Sequence, residues 1–324
     1  MTNANTDQTV KNIEGWKSLL WMLMLIYVGS RVLQVFPSGI PMLAIVILHV
    51  VPPAVFALIH GAMFYRIRGI LAFVAICLLV GNVFENLGVR TGFPFGHYYF
   101  TDVMGPKILV VPVFLGLAYV GMAYLSWTLA RLILEETQRP LAGSRVMTVA
   151  LLASAIMVSW DLSMDSVWST IVRAWIWQQG GIYFGVPLTN FLGWFVTGYV
   201  FYQLFALYLR NRSSAGKALP ADYWNMAVAF YGISAAGNLL LLIPQPGPAV
   251  VSDPSGAQWK VSSITAASAA ATISTMGAFA LLAWIRRPGA GRGRKATRQS
   301  GLGAEEIALG RSSAGFAKSC SCRC

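Results

Sequence analysis

The chain has 324 residues, 56% of them hydrophobic and 11% charged, with a formal net charge of +12 and a mean hydropathy of +0.61. A soluble domain carries about 25% charged residues, so this composition excludes an ordinary water-exposed globule and points to a lipid solvent. The basic excess gives no reason to invoke nucleic acid, because most of it follows from where the loops and the tail fall.

Charge-free stretches cover 32–65, 108–130, 174–209, 223–252 and 261–285, and a helix crosses the hydrocarbon core with about 20 residues. Lipid cannot satisfy backbone hydrogen bonds, and the short alternation of barrel strands is missing, so the fold class is all-α, a polytopic membrane bundle. In chain order the expected spans are 18–36, 41–60, 69–88, 108–133, 146–164, 187–209, 222–243 and 262–285. The loops expected on one side, with both termini, hold nineteen Lys and Arg residues. The other side holds Arg90, Lys107, Arg173 and Lys260, and Arg31 lies inside the first span. This bias predicts eight crossings with both termini in the cytoplasm.

The expected organisation is a cytoplasmic segment 1–17, a single transmembrane domain 18–285 and a basic, disordered cytoplasmic tail 286–324 lying against anionic lipid, all in a multi-pass cell-membrane protein of the bacterial or archaeal type. Asp7 and Glu14 dilute the N-terminal basic region, and no small-residue cleavage site follows, so a cleaved signal is not expected. Cys77 reads as apolar filling. Cys320, Cys322 and Cys324 sit in the tail and do not make a disulfide framework. Gly289, Gly291 and Gly293 follow no strand, so they are not read as a dinucleotide loop.

Three acids do not lie in tails or loops: Glu85 in the third span, and Asp161 and Asp165 near the end of the fifth. A charge at such depth costs about 2.5–3.5 kcal/mol on the insertion scale and needs a reason. Asn82, Glu85 and Asn86 share one helical face, as do Asp161 and Asp165. Both helices run in the same direction, and the acids lie within about a turn of the non-cytoplasmic end, which predicts one polar cluster there. The plainer alternative pairs Glu85 with Arg90 and Asp161 with Arg173 as structural glue. Asn82, Asn86, Asn190 and Asn238 can each serve as interhelical hydrogen bonds.

The loops after these helices, 90–107 and 166–187, are dense in aromatics, Gly and Pro. An interfacial belt explains part of Trp168, Trp175 and Trp177. It does not require Gly92, Pro94, Gly96, Gly180, Gly181, Gly185 and Pro187, which suggest tight re-entrant turns lining a cavity. The expectation is an aromatic-walled pocket with acids at its floor.

Other chemistries lack their residues. Membrane di-iron oxygenases need many histidines, and this chain has His49, His60 and His97. His49 and His60 are 11 residues apart, about 16 Å along one helix, too far to share a metal. His60 is expected at the cytoplasmic interface and His49 as a satisfied core histidine. Asp161 and Asp165 resemble half of a magnesium-diphosphate motif, but a second acidic cluster and basic phosphate ligands are missing. No metal is expected. Ala266, Ala270, Ser274 and Gly277 of the eighth span read as a small-residue packing face.

Glu85-Asn86-Leu87-Gly88, the run from Thr91 to Tyr99, Gly105-Pro106 and Val111-Pro112 form one motif block. Trp160-Asp161, Asp165, Trp175, Trp177, Gly181 to Tyr183, Gly185 to Pro187, Asn190-Phe191 and Gly193-Trp194 form a second. Together they resemble the carotenoid hydratases, membrane proteins of carotenoid biosynthesis of the gamma-carotene 1′-hydroxylase and bisanhydrobacterioruberin hydratase type, across roughly residues 70–210.

The resemblance implies an enzyme, a cofactor-independent hydro-lyase of isoprenoid (terpenoid) metabolism. It would add water to a terminal double bond of an acyclic carotenoid end, giving a tertiary alcohol. Its partners would be carotenoid, water, membrane lipid and other carotenoid-pathway enzymes. Such chemistry needs an acid, a wall for a tertiary cation and a positioned water. A carboxyl group kept protonated by an apolar site serves as general acid. Asp161 is the leading candidate, with Glu85 as partner or base and Asp165 tuning the pair. Asn86 and Asn190 would hold the water, and Phe95, Tyr98, Tyr99, Trp175, Trp177 and Tyr183 would line the polyene channel. The alternatives are an end-group cyclase using the same acid without water, and a non-enzymatic carrier or lipid-binding protein; the chain shows no inverted repeat of the kind many carriers carry. The topology predicts that a reporter fused after Arg298 is found in the cytoplasm; its appearance outside would overturn an even number of crossings.

Overall fold

The computed structural model describes residues 2–36, 39–137, 141–210, 219–244 and 246–288, with side chains from residue 15 onward. The cysteine-containing tail and its expected disorder lie outside these residues, as do Gly289, Gly291 and Gly293. Among the described residues, seven helices are long and apolar enough to cross a membrane, as the run lengths require. In chain order they begin with α1 (Thr2–Val35) and α2 (Met42–Thr91). After β1 (Tyr98–Phe100), β2 (Lys107–Ile108) and β3 (Val111–Pro112) come α3 (Val113–Ile133) and α4 (Arg145–Ser166). A π-helical turn, Val167–Ile171, leads to β4 (Trp175–Trp177), then α5 (Leu188–Arg210) and α6 (Ala221–Leu239). A hairpin of β5 (Val250–Ser252) and β6 (Gln258–Lys260) precedes α7 (Val261–Ala271). A second π turn, Thr272–Gly277, joins α7 to α8 (Ala278–Arg286) within one membrane-length segment.

The 50 residues of α2 would make a rod of about 75 Å, more than twice the hydrocarbon thickness. The rod is broken at Arg66, whose backbone is non-helical with φ 59° and ψ 170°. A Cβ placed on Gly61 would lie 2.4 Å from Ile70 Cδ1, whereas nine residues of straight helix would separate them by about 13 Å. The chain therefore doubles back, and the seven long helices provide eight arms of membrane-spanning length. The expected loop between the second and third spans contracts to this single turn. The first helix likewise begins at Thr2 rather than at 18.

Ion pairs tie the helix ends together. Lys17 at the start of α1's apolar stretch meets Asp222 at the start of α6 (3.1 Å), and Arg286 at the end of α8 meets Glu135 just past α3 (2.6 Å). Arg145 at the start of α4 meets Glu136 (3.0 Å). All these ends, and the turn at Arg66, gather at one basic end of the bundle. The loops containing the sheets gather at the opposite end.

Close approach of α3 to the first arm of α2 depends on Gly121, where a Cβ would lie 2.7 Å from Pro53 Cβ and 2.9 Å from its carbonyl carbon. Small residues at such crossings let helix backbones meet in lipid. The small-residue face expected on the last segment is a correction: Ala266, Ala270 and Ser274 are exposed. Ile264, Ser268, Thr272 and Met276 pack inward instead, with Ser268 Oγ donating to the Ser163 carbonyl (2.5 Å) and Thr272 Oγ1 accepting from Asn238 Nδ2 (3.2 Å). Small residues occupy both faces of this helix, so polar partners rather than size select the buried one.

His60 lies toward the basic end, beside Tyr223 in the first turn of α6. It is completely buried there, with Nδ1 against the Tyr124 hydroxyl (2.6 Å) and Nε2 against the Tyr223 carbonyl (2.8 Å). His49 is buried with Nε2 3.1 Å from Arg31 Nη1, while its Nδ1 has no partner among the described residues. Asn238 joins this group by accepting from Arg31 Nη2 (2.5 Å), the interhelical role its position suggested. Gly121→Val should push α3 off α2 and destabilise the protein by about 1–3 kcal/mol, read as a lower unfolding temperature in detergent, with Gly121→Ala intermediate.

Candidate active site

β1 and β4 come from the two aromatic loops and pair antiparallel, with Tyr98 opposite Trp177, Tyr99 opposite Ile176 and Phe100 opposite Trp175. Side chains alternate across a strand and directly opposed residues share a face. Tyr98, Phe100, Trp175 and Trp177 therefore form one aromatic face, turned toward the bundle, while Tyr99 is 46% exposed on the other. This period of two removes Tyr99 from the channel wall proposed from sequence.

Beneath the aromatic face lies a cavity of about 340 Å³. Its floor holds Glu85 from α2 and Asp161 and Asp165 from α4, and its sides include Leu115 and Tyr119 from α3, Met164 from α4 and Asn190 and Trp194 from α5. Phe95 completes the wall. Its ring fits between two helices because both present glycine: a Cβ on Gly88 or on Gly193 would each lie 2.6 Å from a ring carbon.

All three carboxylates are buried. Such groups require hydrogen bonds or neutralisation. Glu85 accepts from the hydroxyls of Tyr98 and Tyr119, one on each oxygen. Burial, and then the adjacent Glu85, push the Tyr98 phenol well above its ordinary range, so it remains a donor throughout the working pH range. Asp165 accepts from Trp175 Nε1 at 2.7 Å and from Asn190 Nδ2 at 2.6 Å. The same Asn190 amide donates to Asp161 Oδ2 at 2.9 Å. Asp161 Oδ1 has no donor on it among the described residues, which makes Asp161 the least constrained of the three. No ion pair joins Glu85 to Arg90 or Asp161 to Arg173 among the described residues, so the structural-glue pairing is replaced by a neutral donor shell.

The structure thus brings together Glu85, Asp161, Asp165, Phe95, Tyr98, Trp175, Trp177 and Asn190. Asn86 and Tyr183, like Tyr99, are not on the wall. Asn86 Nδ2 turns back to Asn82, reaching its carbonyl at 2.8 Å and Oδ1 at 2.9 Å. Tyr183 packs against Phe191 and donates to the Leu162 carbonyl at 3.3 Å. Sequence reasoning missed Phe100, Leu115, Tyr119, Met164 and Trp194. Tyr119 carried a usable signal: it lies six residues from the start of α3, as Glu85 lies six from the end of α2, so antiparallel neighbours place both at one depth.

These features define a membrane protein with an acid-floored aromatic site. The pattern of the carotenoid biosynthesis protein family matches residues 40–251, and the chain belongs to that family. All the cavity residues fall inside the matched region. The chain is 32% identical over 139 residues to the bisanhydrobacterioruberin hydratase of Haloarcula japonica, a stretch making up 43% of this chain and 45% of that protein. The chain thus matches less than half the length of that relative. No solved structure matches.

Asn190→Leu leaves two buried carboxylates without their shared donor and should cost about 2–6 kcal/mol, taking 1–3 for each group. Asn86→Ala should shift stability by no more than about 0.5 kcal/mol. Thermal unfolding of the two variants in the same detergent checks the contrast.

Proposed function

We propose that this chain is a carotenoid hydratase, adding water to the terminal 1′,2′ double bond of an acyclic carotenoid end to give a tertiary alcohol. The observation that carries the reading is the grouping of three carboxyl groups, hydrogen-bonded to neutral donors, under an aromatic face in one cavity. The family membership and the hydratase named among its relatives support it.

In this mechanism the protonated Asp161 carboxyl, through its uncommitted oxygen, delivers its proton to C2′ of the end group. The C1′–C2′ π electrons form the new C–H bond and leave a tertiary cation at C1′. The faces of Tyr98, Trp175, Trp177 and Trp194 stabilise that cation, each by about 0.5–2 kcal/mol when desolvated. Water adds its oxygen to C1′, and Glu85, gripped by two phenols, accepts the proton released. Asn190 bridges Asp161 and Asp165, so Asp165 positions the acid through the shared amide. The net change is one water gained, with no electron transferred and no cofactor required by the balance.

The test is pigment mass spectrometry of cells that accumulate an acyclic-ended carotenoid and express this chain in oxygen-18 water. The expected product is heavier by one labelled water. Asp161→Ala should lower its yield by about 10²-fold or more, the scale of general acid catalysis. An isomer of unchanged mass would indicate the cyclase, and label from molecular oxygen would reject hydration. Full activity in a Glu85→Ala, Asp161→Ala double variant would reject the mechanism.

A further inference from the structure

A second cavity, of about 250 Å³, lies directly behind the aromatic wall. Its lining is polar where that of the first is aromatic, and includes Ser169, Thr170, Arg173, Ser252 and Asp253. The two spaces share one residue, Trp177, which lines both. They are also joined through the backbone. Ser169, on the wall of the second, donates its hydroxyl to the carbonyl of Asp165 (2.8 Å), whose carboxylate floors the first. Between them in sequence, Ser166 is completely buried and its hydroxyl has no partner among the described residues. Buried hydroxyls without a protein partner are commonly satisfied by water.

The π turn at Val167–Ile171 carries Ser169 and Thr170, which line the second cavity, while α4 before it carries Asp161 and Asp165, which line the first; π turns of this kind recur at functional sites. The far wall is the β5–β6 hairpin, organised by Asp253. That carboxylate accepts from the backbone N–H of Ser255 (2.9 Å), from the Ser255 hydroxyl (2.5 Å) and from Trp259 Nε1 (2.9 Å). Burial raises the Asp253 pKa, but these hydrogen bonds outweigh it and hold the carboxyl below its ordinary value. The hairpin therefore keeps an ionised group, held by protein donors, in the lining of the cavity.

We infer that this polar chamber is a water-supply vestibule: it holds water at the loop end and passes it beside Trp177 to the cation formed over the three carboxylates. The inference rests on the hydratase reading and assigns its second substrate a separate entry, leaving the aromatic cavity to the polyene. Delivery on demand solves a specific problem, because an aromatic cavity filled by an apolar chain offers water few of the polar partners it needs. A cation that meets no water can return a proton from C2′ to the carboxylate and regenerate the alkene, and that return leaves a record as hydrogen exchange at C2′.

The experiment uses the full-length protein in detergent with an acyclic carotenoid in deuterium oxide, comparing wild type with Ser169→Val and Ser252→Leu. Ser169→Val removes a polar wall group, and Ser252→Leu narrows the chamber from the hairpin, remote from the carboxylates. Two quantities are read by mass: hydrate formed, and deuterium gained at C2′ in the recovered, unhydrated carotenoid. The expected result is a fall of roughly tenfold in the ratio of hydrate to exchanged substrate in both variants, equivalent to about 1.4 kcal/mol between the competing barriers. Equal loss of hydrate and exchange would overturn the inference, since the acid rather than the water supply would have failed. An unchanged ratio would also overturn it. Absence of both hydrate and exchange in the wild type would reject the hydratase reading itself.

Discussion

Three carboxyl groups are buried at one end of an apolar bundle, and no Lys or Arg pairs with them among the described residues. Much of that end is arranged around this constraint. Tyr98 and Tyr119 hold Glu85, Trp175 holds Asp165, and Asn190 holds Asp161 and Asp165 together. These donors come from β1, α3, β4 and α5. Satisfying the acids therefore joins four separate parts of the chain, and charge-assisted hydrogen bonds of this kind are among the stronger polar contacts available. Removing a donor loosens an acid and separates an element at once.

The aromatic sheet has two tasks that its pairing register makes compatible. Its inward face supplies Tyr98 and Trp175 as hydrogen-bond donors and, with Phe100 and Trp177, a wall of π surface over the cavity. Tyr and Trp suit this because each joins a large apolar body to one polar hydrogen. A carbocation needs π faces and excluded bulk water, whereas hydration of that cation needs one water admitted. In the proposed hydration, the two cavities that Trp177 lines would separate these conflicting needs in space.

Membership in the carotenoid biosynthesis family covers α2 through β5, the stretch that builds the aromatic cavity. The last segment, α7 with α8, lies beyond that stretch. It contributes packing through Ser268 and Thr272, while the hairpin before it walls the polar chamber. Most of the polar chamber's lining also falls inside the matched stretch, and Ser252, Asp253 and Pro254 lie just beyond it.

Hydrophobic run lengths determined the helical class and the order of the membrane-length segments, because lipid permits few other solutions. The direction of each helix followed, and with it the common depth of Glu85, Asp161 and Asp165. What remained open depended on contacts between segments far apart in sequence. The pairing of 98–100 with 175–177 decided that Tyr98 faces in and Tyr99 faces out, a distinction that two adjacent tyrosines cannot carry by composition. Asn86 and Asn190 looked equivalent in sequence; helix rotation turned one back onto Asn82 and the other onto two carboxylates. Tyr119 became part of the site because α3 packs antiparallel against α2. Local chemistry set which residues could act, and long-range packing set which of them meet.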